Sequence, residues 1–260
     1  MDPWILVLGF INLVLFFIGI IFFIPKEYKN FNLLKNLINL FPHILIIVAV
    51  VVFHIFEVNV IDRAITDWIG IDFTENIRGI EGDTVYWFSQ NWNPFFVYFF
   101  VLIYIGIYTF TLWFSTFYFL ITNDKKAIKT LAYGLLLIYI IALPFFLFLP
   151  ITNVYTYYDS GSALEQVIPS IENFFYFTTT QNNCLPSLHT AMTILIAYSI
   201  SLTKNKKLTY FVSIIMILVI ISVIYLSIHW ITDVIAGIIL SVIVIFILRR
   251  IIEKKENNDK

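Results

Sequence analysis

Charged side chains are scarce in this sequence. They make up 13% of its 260 residues, whereas hydrophobic residues make up 60%, and the mean hydropathy is +0.89. A soluble protein would have about one quarter charged residues. The composition therefore argues against a soluble protein and predicts one that is integral to a membrane.

Cysteine is nearly absent too. The single cysteine, Cys184, excludes an internal disulfide and any metal site built from several cysteines. The net charge is -1 and the lysine clusters are small. We therefore expect no nucleic-acid partner, since such a protein would carry a concentrated basic surface.

Long apolar runs take the place of charge. We expect an all-α integral membrane protein with about seven transmembrane helices, because each run approaches the roughly 20 residues that cross a bilayer. The second and fifth runs are short. The first lacks the basic start and small-residue cleavage site of a signal peptide, so we interpret it as an added membrane helix. The predicted segments are about 4–24, 41–57, 94–120, 128–149, 185–202, 208–228 and 230–248.

The basic residues follow every second segment. Only Arg63 and Arg78 lie in the alternate connections, so 14 of the 16 Lys and Arg residues fall on one side. Such residues are enriched on the cytoplasmic side of membrane proteins. The charges therefore predict an outside N-terminus and a cytoplasmic C-terminus in a cell or plasma membrane.

Two long connections lie on the predicted outer side. The first, about 58–93, is acidic, and the second, about 150–184, lacks Lys and Arg but is rich in aromatic residues. We expect these aromatics at the membrane interface or, alternatively, at a rim through which lipid enters. They are Tyr155, Tyr157, Tyr158, Phe174, Phe175, Tyr176 and Phe177.

The last segment is predicted to begin at His229, and Asp233 follows four residues later. Residues at this spacing share one face of a helix. A carboxylate bonded to one ring nitrogen fixes the tautomer and makes the other nitrogen a better nucleophile. The pair indicates either a catalytic histidine or a structural pair at a helix end.

A second pair at helical spacing, His54 and Glu57, is interpreted as a helix-end pair.

The fifth segment contains Pro186-Ser187-Leu188-His189. Proline is favoured in the first helical turn, so these residues predict a helix N-terminus, where free N–H groups attract an anion. Ser187 can add a hydroxyl donor, and His189 can protonate a leaving oxygen. The alternative is a helix start with a capping serine. The topology places His189 and His229 on the same outer face, where we expect the active site.

These two segments resemble motifs of the type 2 phosphatidic acid phosphatase superfamily. Its second motif is PSGH or PSLH, and its third places aspartate four residues after histidine, often followed by V-x-A-G, as in His229–Gly237. The resemblance implies His229 as the nucleophile that forms a phosphohistidine, Asp233 as its orienting partner and His189 as the general acid.

The resemblance also implies a domain division. A six-helix core is expected over residues 41–248. It is preceded by an added helix and cytoplasmic linker over residues 1–40 and followed by a basic cytoplasmic tail over residues 249–260.

The usual phosphate-binding cations of that superfamily are missing. Val223 stands where the third motif usually has arginine, and no basic residue lies near residues 150–155, where the first motif is expected. The PSLH form and the lost arginine are more similar to the inositol phosphorylceramide synthase and sphingomyelin synthase branch. We expect Arg78, or less strongly Arg63, to bind the phosphate. The alternative is that they pair with acidic neighbours, namely Asp62, Glu75 and Glu81.

The leading hypothesis is an integral membrane phosphoesterase that acts on a lipid phosphate. It needs no metal or cofactor, because histidine supplies the nucleophile. Transfer to a lipid hydroxyl instead of water makes a head-group phosphotransferase the alternative. Two further alternatives are a metal-dependent enzyme with His189, His229 and Asp233 as ligands, and a non-catalytic multi-helix membrane protein.

Overall fold

The structure is a computed structural model that describes residues 3–30, 32–168, 171, 176 and 178–258. The aromatic residues Phe174, Phe175 and Phe177 and the last two residues of the tail lie outside this part. The protein is 81% helical, and the described residues form no strand. The predicted all-α membrane class is confirmed.

The helices are numbered along the chain. A 3₁₀ turn, Lys26–Asn30, follows the first helix, and π-helical turns span Glu57–Asp62 and Leu102–Ile107. The α-helices are α1 (Pro3–Phe23), α2 (Leu33–Phe56), α3 (Arg63–Ile69), α4 (Thr74–Glu81), α5 (Tyr86–Gln90), α6 (Pro94–Val101), α7 (Tyr108–Thr122), α8 (Lys125–Phe148), α9 (Val154–Tyr157), α10 (Ala163–Val167), α11 (Leu188–Ser201), α12 (Lys206–Tyr225) and α13 (Ile231–Asn258).

The seven predicted segments become six spans and one shorter helix. Within the described residues, six helical stretches are long and apolar enough to cross a membrane. The fifth predicted segment is the exception. Helix α11 has 14 residues, a length of about 21 Å, whereas the hydrocarbon core of a bilayer is about 30 Å thick.

Capping side chains set helix starts that hydropathy alone misplaced. Helix α2 begins at Leu33, well before the predicted residue 41, because the Asn32 side chain accepts the Lys35 N–H at 2.9 Å. The prediction that His229 begins the last helix is wrong. The chain turns between Tyr225 and Ile231, with Ser227 in the left-handed region at φ 56°.

The centre of the bundle is formed by α8, α11 and α13, with α2, α7 and α12 packed around them. Gly134 of α8 permits close packing, since a Cβ there would lie 2.5 Å from Leu195 of α11. Helix α1 is peripheral and contacts α7, where the rings of Phe16 and Phe114 lie 5.7 Å apart. The centre of the bundle therefore includes α11, which carries His189, and α13, which follows His229 and carries Asp233.

Candidate active site

The two histidine segments meet at one end of the bundle. The Ser187 N–H donates to the Asp233 carbonyl oxygen at 3.0 Å, and the ring centroids of His189 and His229 are 6.1 Å apart. The expectation that residues 40 positions apart share one site therefore agrees with this geometry.

Asp233 binds both His229 and the backbone beside it. Its Oδ2 lies 3.3 Å from His229 Nδ1 and accepts the Trp230 N–H at 2.9 Å. Asp233 is the third residue of α13, and Trp230 is the residue just before the helix. The hydrogen bond from the Trp230 N–H to the Asp233 carboxylate is therefore the one that a carboxylate makes in a capping box. The predicted contact with His229 is present, but it arises from helix capping rather than from a shared helical face. Both side chains are buried.

Helix α11 begins as expected, at the PSLH segment. Ser187 is the N-cap, and its Oγ accepts the Thr190 N–H at 3.3 Å. Pro186 precedes the cap, so its expected place in the first turn is wrong. Ser187 is fully buried and has the capping role weighed as the alternative; a bond to substrate stays a prediction.

His189 is the second residue of α11 and contacts two tyrosines. The Tyr104 hydroxyl lies 3.5 Å from His189 Nδ1, and the Tyr108 and His189 rings are 5.2 Å apart. Tyr104 belongs to the π-helical turn between α6 and α7, and such turns are frequent at functional sites. Tyr104 was not predicted as a site residue, because no spacing or composition in this part of the sequence indicates a π-helical turn.

A cavity of about 570 Å³ lies beside both histidines. Gly9 and Asn12 of the peripheral helix α1 form part of its wall. Its lining combines polar side chains with apolar ones that include Leu112, Trp113 and Phe146. Among the described residues the lining holds no Lys, Arg, Asp or Glu. The polar set includes His54, Asn153, Thr180, Asn183, His189 and His229.

Arg78 lies in α4, outside this lining. Its Nε donates to Asp83 Oδ1 at 3.1 Å and its Nη1 to Glu75 Oε1 at 3.3 Å. Pairing of Arg78 with acidic neighbours was the alternative interpretation. Glu75 is one of the expected partners, whereas the second partner is Asp83 instead of Glu81. A contact with phosphate stays a prediction. Arg63 begins α3, and its side chain lies outside the described part.

The ion pair of Arg78 and Asp83 is reinforced by Tyr158. Hydrogen bonds from Tyr158 and from Arg78 keep the pKa of the Asp83 carboxyl below its usual value. Burial and the bond to Asp83 raise the pKa of Tyr158 to about 12. The Arg78 guanidinium also lies over the Tyr158 ring, 5.8 Å from its centroid. At neutral pH the carboxylate is thus ionised and the phenol is protonated.

His54 and Glu57 lie where α2 gives way to the first π-helical turn, and they belong to a longer chain of bonds. Tyr139 donates to Glu57 Oε2 at 2.7 Å and lies 3.3 Å from His54 Nδ1. His54 Nε2 lies 2.9 Å from the Thr178 carbonyl oxygen. Glu57 is fully buried, so this chain joins α2 and α8 to the second long connection at the cavity wall.

One buried group could hold a metal ion. A ligand atom from each of Cys184, His229 and Asp233 lies within 4.8 Å of the others. This set differs from the one weighed from the sequence, because Cys184 takes the place of His189. Cys184 Sγ also lies 3.7 Å from the Ile228 carbonyl oxygen, to which it donates.

A family model decides the relationship that these segments suggest. The model of the PAP2 superfamily matches residues 82–247, more than half of the chain. The chain belongs to the PAP2 superfamily. Both histidine segments lie inside the matched residues, whereas α1 and α2 precede them. Comparisons with curated proteins and with solved structures give no match.

PAP2 is the type 2 phosphatidic acid phosphatase superfamily, so the predicted resemblance is confirmed at the level of the superfamily. Membership supports a phosphatase-type phosphoesterase, that is, an enzyme of the phosphatase or phosphotransferase kind. Together with the six membrane-spanning stretches, PAP2 membership makes membrane lipid the expected class of substrate.

Proposed function

We propose that this PAP2 protein is a lipid phosphate phosphoesterase that works through a phosphohistidine on His229. The observation that carries the proposal is the placement of His189 and His229 on one cavity, with Asp233 bonded to His229 Nδ1. The cavity lining combines polar side chains with apolar ones such as Leu112, Trp113 and Phe146, as a phosphate joined to an acyl chain requires.

The proposed reaction has two steps. His229 Nε2 attacks phosphorus, the bond from phosphorus to the lipid oxygen breaks, and His189 gives its proton to that oxygen. A water molecule or a hydroxyl then attacks phosphorus, the P–N bond breaks, and the proton of the attacking group passes to His189. Asp233 holds Nδ1–H throughout and stabilises the positive charge of the modified ring.

Neutral donors are proposed to bind the phosphate in place of the missing cations. The Thr180 hydroxyl and the Asn183 amide both line the cavity. The Thr180 hydroxyl is buried and has no hydrogen-bond partner among the described residues, so it can donate to a phosphate oxygen, and the NH2 group of Asn183 is a second neutral donor. Donors that are fixed before substrate arrives stabilise charge in a site shielded from water. Ser187 remains a further proposed phosphate contact, whereas for Arg78 the ion pairs with Glu75 and Asp83 favour the alternative of pairing with acidic neighbours.

A phosphotransferase is the second candidate. Val223, which replaces the usual arginine, is fully buried, and the described cavity lining has no cation. These departures favour the branch of inositol phosphorylceramide and sphingomyelin synthases. In either case we propose an outside N-terminus, a cytoplasmic C-terminus and an active site open to the outer side of a cell or plasma membrane, as the positive charges indicate.

A substrate panel tests the proposal. Purified protein in detergent is incubated with ³²P-labelled phosphatidic acid, ceramide 1-phosphate or phosphatidylinositol, with and without diacylglycerol or ceramide as acceptor. Released phosphate indicates a phosphatase, and a new phospholipid that depends on the acceptor indicates a transferase. Loss of turnover in a strong chelator would instead support the metal-dependent alternative. Folded protein without turnover on any of these lipids would contradict the proposal.

A further inference from the structure

The first turn of α13 is capped by a residue from a distant part of the chain. The N-cap position is held by Trp230, whose side chain has no hydrogen-bond acceptor. Asp233 binds the Trp230 N–H, which leaves the next two N–H groups of the helix. Glu81 accepts both, from Ile231 at 2.9 Å and from Thr232 at 3.0 Å.

The turn after α4 delivers Glu81 to this position. Glu81 is the last residue of α4, and Gly82 follows at φ 64° and ψ -150°, a conformation that is essentially restricted to glycine. Arg78, one helical turn before Glu81, binds Asp83 just beyond the glycine. These contacts close the end of α4 beside Glu81.

Helix α4 is also bonded to the segment that supports Trp230. The Thr74 Oγ1 accepts the Thr152 N–H at 2.7 Å, and the Trp230 indole N–H donates to the Thr152 carbonyl oxygen at 2.8 Å. Trp230 is fully buried. The first long connection, the second long connection and the start of α13 thus form one hydrogen-bonded unit.

We propose that Glu81 is a positioning residue for the nucleophile His229, an inference that rests on the proposed function. The side chain of Glu81 fixes the first turn of α13, and this turn fixes Asp233 and Trp230. Asp233 in turn fixes the tautomer and the plane of the His229 ring. The described cavity lining does not include Glu81. Glu81 therefore acts through α13 rather than on the substrate. Its charge also offsets the positive end of the α13 dipole, next to the ring that becomes cationic.

The test separates positioning from simple support of the fold. Glu81→Gln and Glu81→Ala are compared with wild type by rapid-quench measurement of ³²P-phosphoenzyme, with labelled phosphatidic acid first and then the other panel lipids. Because a displacement of about 1 Å can cost about a hundredfold, we expect the rate constant of phosphorylation to fall about 10- to 100-fold for Glu81→Ala and less for Glu81→Gln. The amplitude per folded molecule and the apparent lipid affinity should stay within about twofold.

Two glutamates serve as matched controls. Glu75 lies in the same helix but pairs with Arg78 and Tyr157, and Glu165 is an exposed residue of α10. We expect Glu75→Gln and Glu165→Gln to keep the wild-type rate constant.

Each other outcome has one meaning. A lower amplitude per total protein, with an unchanged rate constant, shows that Glu81 only supports folding and overturns the inference. A rate constant equal to that of the controls overturns it as well. If Glu81→Ala does not fold, Glu81→Gln decides. If wild type and His229→Ala alike form no phosphoenzyme from any panel lipid, the proposed function fails, and the positioning role fails with it.

Discussion

The carbonyl oxygen of Ser187 lies 2.6 Å from the position that a Cβ atom on Gly237 would occupy. Ser187 caps α11, which carries His189, and Gly237 lies in the second turn of α13, which carries Asp233. The absence of a side chain at Gly237 therefore lets the two histidine segments approach closely enough for the Ser187 N–H to bind the Asp233 carbonyl oxygen.

Gly237→Ala is expected to reduce turnover at least about tenfold, because backbone must move before a Cβ fits and the two histidines then separate. Steady-state turnover and thermal unfolding of purified protein measure the effect. Gly79→Ala is the control: a Cβ at Gly79 meets nothing within 4 Å, so we expect it to keep full turnover. Wild-type turnover in Gly237→Ala would show that the close approach is dispensable.

His229→Ala should abolish turnover, and His189→Ala and Asp233→Ala should each lower it by at least about a hundredfold, the usual scale for general acid–base groups. A ³²P label should form on His229 and be released by acid. His43→Ala is the control, since His43 packs against Tyr133 and is not a cavity residue. Near-normal turnover in a folded His229→Ala protein would remove the nucleophile assignment.

Asn183→Asp should raise KM for a lipid phosphate at least about tenfold, because a carboxylate of the same shape repels phosphate strongly in a site shielded from water. Initial rates over a range of lipid mole fractions in mixed micelles measure KM. Asn91→Asp makes the same change at an exposed position and should leave KM unchanged. Equal KM values for both variants would place the phosphate away from Asn183.

Arg78→Ala tests whether the Arg78 side chain serves only in ion pairs or also contacts the phosphate of the substrate. Its partners Glu75 and Asp83 are exposed, and exposed pairs contribute little, so we expect KM to change less than about twofold. A KM increase above about tenfold at unchanged thermal stability would instead support the phosphate contact predicted from the sequence.

Cys184 should react slowly with a membrane-impermeant maleimide in the folded protein and quickly after unfolding. It is buried, and burial raises the pKa of its thiol, so the reactive thiolate is scarce at neutral pH. The labelling rate of Cys184 should still rise with pH at values where the labelling rate of an exposed thiol has reached its plateau. Glu165→Cys in a Cys184→Ala background supplies that exposed thiol. Both thiols should be labelled from outside intact cells; labelling from the cytoplasmic side alone would reverse the proposed topology.

Much of the site could be predicted because the deciding signals are local. Apolar runs indicate the membrane spans, and the spacing of His229 and Asp233 is short enough for one turn of chain to join them. The PSLH segment likewise indicates a helix start through its own capping serine. Such features depend on neighbours in sequence, which the sequence displays directly.

The tertiary structure decided the rest. It placed Glu81 on the first N–H groups of α13, across 150 residues. It also placed Asp83, rather than Glu81, beside Arg78, and put Tyr104 next to His189 through a π-helical turn. A carboxylate binds whichever unsatisfied donor the fold brings within reach, and sequence separation carries no information about that distance. Composition thus determined that the chain lies in a membrane, whereas packing determined which polar groups meet within it.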